Sequence, residues 1–65
     1  MNEQFEKNLV SAYHEALKNN QKSFPVKLVV EDTPSEGDVI SWFAAKDIPI
    51  KIDTSWGKYD ITLLN

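Results

Sequence analysis

Cysteine and arginine are both absent from these 65 residues, and histidine occurs once, as His14. Without cysteine there is no disulfide framework to support a chain this short. A structural zinc site is excluded with it, because His14 would be the only strong nitrogen ligand and no thiolate exists to complete the set. Without arginine, the bidentate fork that reads guanine and grips phosphate is missing, and lysine replaces it only as a point charge. No run of about 18 apolar residues occurs, so nothing is long enough to span a bilayer. Met1 to Lys7 is polar and partly acidic, unlike a secretory signal, and the expected location is therefore cytoplasmic.

What is present is enough for one small core. Hydrophobic residues make up 42% of the chain and seven are aromatic, which must suffice because a domain of this size buries only about 60% of its unfolded surface. One domain over residues 1–65 is expected, with dimerisation as a further source of burial. Ten acids against seven lysines give a net charge of -3. That balance disfavours non-specific nucleic-acid binding, which goes with a basic stripe. It is also too slight for a DNA mimic, since the lysines lie among the acids.

The apolar pattern changes period along the chain. From Asn2 to Asn19, Phe5, Leu9, Ala12, Tyr13, Ala16 and Leu17 recur at spacings of three and four, which predicts an amphipathic helix. Glu3 and Glu6 near its start and Lys18 near its end suit the helix dipole, and Asn19–Asn20 suit its C-terminal cap. Phe24 to Glu31 then alternates as a half-buried strand, with Phe24, Val26, Leu28 and Val30 inward.

Asp32-Thr33-Pro34-Ser35-Glu36 reads as a helix start, with Thr33 as cap, Pro34 at the first helical position and Glu36 closing a capping box. This helix extends to about Lys46, with Val39, Ile40, Phe43 and Ala44 as its apolar face. Ile48, Ile50 and Ile52 alternate again. A turn from Asp53 to Gly57 leads to a last strand carrying Tyr59, Ile61 and Leu63.

The resulting order is α-β-α-β-β, an α+β two-layer sandwich with both helices on one face of a three-stranded sheet. Pro49 lacks a ladder donor and places the second strand at an edge. The third strand, free of proline, goes in the middle, giving strand order 1-3-2.

Little in this inventory resembles catalytic machinery. Ser11 and His14 sit three residues apart on the first helix, but a triad also needs an orienting carboxylate and an oxyanion hole, and Glu15 points to another sector. His14 is read as a solvated residue at the margin of the apolar stripe. Glu31, Asp32, Glu36 and Asp38 form an acidic cluster whose spacing does not match an EF-hand loop. Acids gathered at a helix N-terminus are read as complementing its dipole. No catalytic, metal or cofactor residue is assigned, and an enzyme is the least favoured class.

The tryptophans are the sharpest signal. On a 100°-per-residue wheel, Trp42 falls roughly 130° from the centre of the apolar face, and Trp56 lies in the expected turn. Leaving ~150 Å² of tryptophan in water forgoes about 4 kcal/mol, which makes exposed tryptophans favoured interface anchors. The structural alternative is that either indole folds over the rim of the small core.

Trp42 and Trp56, with Asp38 and Lys46 on the same helix as Trp42, are therefore the candidate partner-binding residues. They suggest a small non-enzymatic interaction module, docking through an aromatic helix surface or a sheet edge, on another protein or on a second copy. The alternative is a nucleic-acid-binding domain using Lys27, Lys51 and Lys58 on the open sheet face. Against it, the outward positions of that face carry no aromatic residue on which a base could stack.

Overall fold

A computed structural model describes residues 2–29 and 32–64. The elements follow the expected order: α1 (Glu3–Lys18), β1 (Ser23–Lys27), α2 (Glu36–Ala44), β2 (Ile50–Ser55) and β3 (Lys58–Leu63). The three strands form one antiparallel sheet in the order β1-β3-β2. α1 packs on β1 and α2 on β2.

One side of the sheet carries Phe24, Val26, Ile50, Tyr59, Ile61 and Leu63, all buried. Phe5, Leu9 and Ala16 of α1 and Val39 and Phe43 of α2 close over them as one cluster. Burying a residue such as Phe5, Leu9 or Phe43 contributes roughly 1.5–3 kcal/mol, and this layer is the main source of stability. The aromatic rings meet edge-on: Phe5 on Tyr59 at 6.1 Å, and Tyr13 on Phe43 at 5.5 Å.

The helix ends are set by polar side chains and by two left-handed residues. Asn2 caps α1, its side-chain oxygen accepting from the Phe5 amide. At the other end Asn20 takes φ 56°, and the Gln21 amide bonds back to the Ala16 carbonyl. α2 ends in the same way, with Asp47 at φ 60° and the Ile48 amide on the Phe43 carbonyl. Both are Schellman closures, which satisfy carbonyls that a helix end otherwise leaves orphaned.

Several local expectations are corrected. The cap of α2 is Ser35, whose hydroxyl accepts from the Asp38 amide, and not Thr33. The Thr33 hydroxyl is already committed, donating to the Val29 carbonyl and accepting from the Val29 amide. Pro34 stands outside the helix, and its carbonyl accepts from the Tyr59 hydroxyl at 2.7 Å. The first strand ends at Lys27 rather than Glu31, and Val30 and Glu31 lie outside the described residues.

The second strand begins at Ile50 and continues through Ser55, which pairs with Lys58. Only Trp56 and Gly57 remain as the connection, because Gly57 at φ 73° turns the chain tightly. Finally, α2 is rotated from its expected facing. Val39 and Phe43 are buried and Trp42 is half-buried, whereas Ile40 and Ala44 are exposed. The buried face thus follows positions 39, 42 and 43, an equally regular helical spacing.

Candidate interaction surface

Trp42 does not look outward as the wheel suggested. Its ring stands edge-on to Phe43 at 5.0 Å and joins the margin of the core. Lys46, one turn further on, places its ammonium 3.8 Å from the indole centroid. Such a cation over an aromatic face contributes about 0.5–1 kcal/mol where water still reaches it. Trp42 and Lys46 thus cover each other, and Asp38 is exposed one turn before Trp42. Of the acidic cluster, Glu36 accepts a hydrogen bond from the Thr54 hydroxyl, tying the start of α2 to β2. Asp32 is exposed with φ 58°, and Glu31 lies outside the described residues. No group of three or more metal-binding side chains is found among the described residues.

Trp56 is different. At the tip of the β2–β3 hairpin it is 98% exposed. The tip is anchored on its other side, where the Leu28 amide donates to the Gly57 carbonyl at 3.1 Å. The backbone beneath the indole is therefore tied into the sheet while the ring stands in solvent.

The sheet face away from the helices is a small grid fixed by the strand register. Lys27 pairs with Lys58, and Lys58 with Ser55. Pro25 pairs with Asp60 and Asp60 with Asp53, while Ser23 pairs with Thr62 and Thr62 with Lys51. The Ser23 and Thr62 hydroxyls are 3.0 Å apart, and Lys58 approaches Asp60 at 3.7 Å. Asp53 and Lys51 have no ion-pair or hydrogen-bond partner for their side chains among the described residues. Like charges therefore oppose each other at two places, Lys27–Lys58 and Asp53–Asp60, an unfavourable arrangement across a sheet.

The two sheet edges are unlike. Hydrogen-bonded pairs alternate along an antiparallel ladder. The Leu28–Gly57 and Leu63–Lys22 bonds put Phe24 and Val26 in the bonded class, leaving the backbone of Ser23, Pro25 and Lys27 facing outward. That edge is blunted: Pro25 has no donor and the Asn8 side chain donates to the Lys27 carbonyl. On β2, the Leu64–Pro49 bond puts Lys51, Asp53 and Ser55 in the bonded class. The outward groups are those of Ile50, Ile52 and Thr54, with no proline among them and no bond to them among the described residues.

Beside this edge lies the exposed flank of α2. Ile40 is one turn from Glu36, the residue held to β2 through Thr54, and is 40% exposed. At the start of β2, Ala44, Asp47, Ile48 and Pro49 line a shallow open depression.

Tyr59 is pushed away from its ordinary titration behaviour. Burial raises its phenol pKa, and the nearby carboxylates of Glu36 and Asp38 raise it further. Its hydrogen bond to Pro34 and its place in the core make it structural. His14 is exposed, beside Tyr13 at 6.0 Å between ring centres. Among the described residues no helix is long and apolar enough to cross a membrane. Compared with known families, curated proteins and solved structures, the chain matches none.

Proposed function

We propose that this protein is a small non-enzymatic interaction module that binds another protein chain through its β2–β3 hairpin. The observation that carries this reading is Trp56, a nearly fully solvated indole on a backbone held by the sheet. A rigidly mounted aromatic brings contact area at small entropic cost, and tryptophan is the residue most enriched among binding hot spots. Trp42, expected to share this role, is half-buried at the core margin under Lys46, so the reading rests on Trp56. Asp38, on α2, and Lys46, just past its end, stand exposed on either side of Trp42, apart from the hairpin that this reading makes the contact.

The test is a partner-binding measurement on folded variants. A partner isolated with the wild-type chain and then purified should bind at least about tenfold more weakly to Trp56→Ala. Lys46→Gln should bind normally. Equal binding by wild type and Trp56→Ala would reject the hairpin as the recognition element.

A second reading has one observation in its favour. Register sets Lys27 beside Lys58, two residues from Trp56, so one end of the open face combines positive charge with an aromatic ring. Single-stranded nucleic acid is bound by such a combination. The adjacent Asp53–Asp60 pair opposes it. Quenching of Trp56 fluorescence by an oligonucleotide, relieved steeply by salt, would support this alternative.

A further inference from the structure

We propose that the free edge of β2 pairs with β2 of a second copy, extending the sheet across a two-fold axis. This deepens the proposed function by naming the partner, and it rests on the reading of the hairpin as the contact surface. The edge itself supplies the first argument. Outward backbone groups at Ile50, Ile52 and Thr54 are unpartnered among the described residues, whereas the β1 edge is blunted by Pro25 and Asn8. An unguarded edge of this kind is a template for another strand.

Charge selects the occupant and the register. With Ile52 opposite Ile52 of the second copy, Ile50 meets Thr54, and Lys51 lies directly across from Asp53. Two-fold symmetry repeats that pair, so two oppositely charged contacts form on the open face. Both residues occupy non-hydrogen-bonded positions of the new ladder, where facing side chains come closest.

Sliding by one ladder step either way sets Lys51 against Lys51 or Asp53 against Asp53. Both slips are penalised by like-charge contact. Within one chain, Asp53 faces Asp60 and has no ion-pair partner among the described residues, so Lys51 of the second copy would offset a repulsion already built into the sheet.

The same register carries Trp56 to the ladder position of Ile48 in the second copy. Ile48 lines the depression at the start of β2, together with Ala44, Asp47 and Pro49. Two exposed indoles would thus each arrive beside a shallow apolar surface. Ile40, exposed on the flank of α2 above the edge, lies on the side of the molecule that the dimer covers.

Charge reversal tests the pairing. The wild-type chain should sediment with a mass approaching twice 7.4 kDa as its concentration rises from micromolar to millimolar. Lys51→Glu alone and Asp53→Lys alone should each sediment as one chain, because each sets two like-charge pairs in the dimer. Mixing these two variants in equal amounts should restore the double mass, since position 51 of each chain then faces an opposite charge at position 53 of the other. Circular dichroism establishes that each variant is folded.

A wild-type mass of one chain throughout would overturn the proposal, and so would a dimer indifferent to both reversals. If in either case Trp56→Ala still loses a different purified partner, the interaction reading survives without self-pairing. Restoration by mixing, together with Trp56→Ala dimerising as wild type does, would uphold the paired edge and reject the hairpin tip as a contact.

Discussion

The Tyr59 hydroxyl donates to the Pro34 carbonyl at 2.7 Å, joining the central strand to the segment that leads into α2. Pro34 is buried, so its carbonyl has no easy recourse to water. This contact fixes the point at which the chain leaves the loop and enters the helix. Replacing Tyr59 by Phe keeps the ring packed on Phe5 and leaves that carbonyl unsatisfied. The expected loss is about 1–2 kcal/mol, read as a lower urea midpoint with an unchanged slope.

Tyr59 also gives the fold a dependence on alkaline pH. Burial, then Glu36 and Asp38, raise its pKa above the ordinary 10.0, so the native chain holds this proton more tightly than the unfolded one. Such a group contributes its stability in full below pH 10.0 and loses it as pH rises through the folded value. Urea midpoints should therefore fall on that side of the scale, and the Tyr59→Phe variant should lose this part of the decline. A Tyr59→Phe profile parallel to wild type would contradict the assignment.

The two tryptophans should separate cleanly. Trp42→Ala removes an indole packed at the core margin and should cost about 2–3 kcal/mol, somewhat below the range for a fully buried aromatic. Trp56→Ala should change stability by less than about 0.5 kcal/mol, as surface substitutions do. Emission spectra provide an independent check: Trp42 alone should be blue-shifted and Trp56 alone red-shifted and readily quenched by iodide.

Asp47 closes α2 in the left-handed region at φ 60°, where glycine is the favoured residue. Asp47→Gly should stabilise the fold by roughly 0.5–1 kcal/mol, measured by thermal or urea denaturation. Asp47→Val should do the opposite, because a β-branched side chain is strained there.

The architecture is legible in the residues because its signals are global. Alternation marks the strands and the proline-free β3 takes the centre, whereas Pro49 lies just before β2 with its carbonyl turned to β3, accepting from the Leu64 amide. The site is less legible because its signals are local and compete. Thr33-Pro34 has the form of a helix start, yet the Thr33 hydroxyl is satisfied by Val29, and Ser35 takes over the cap.

Apolar residues at 39, 40, 42, 43 and 44 allow two helical faces, and sequence alone weighs Ile40 above Trp42. The structure chooses Trp42, because Lys46 can shield its outer face while Phe43 receives its edge. The exposure of Trp56 follows from its place in a turn, but the unequal sheet edges follow only from hydrogen-bond parity, which no residue pattern announces.

The strand at the centre of the sheet is also the last of the three to be made. Until Lys58–Leu63 is available, β1 and β2 have nothing between them to pair with, since neither touches the other. The short hairpin lets β3 join β2 almost at once, whereas β1 must wait for pairings as distant in sequence as Val26 with Tyr59. Assembly should thus proceed from the hairpin inward, with docking of the first helix and strand as the slow, cooperative step.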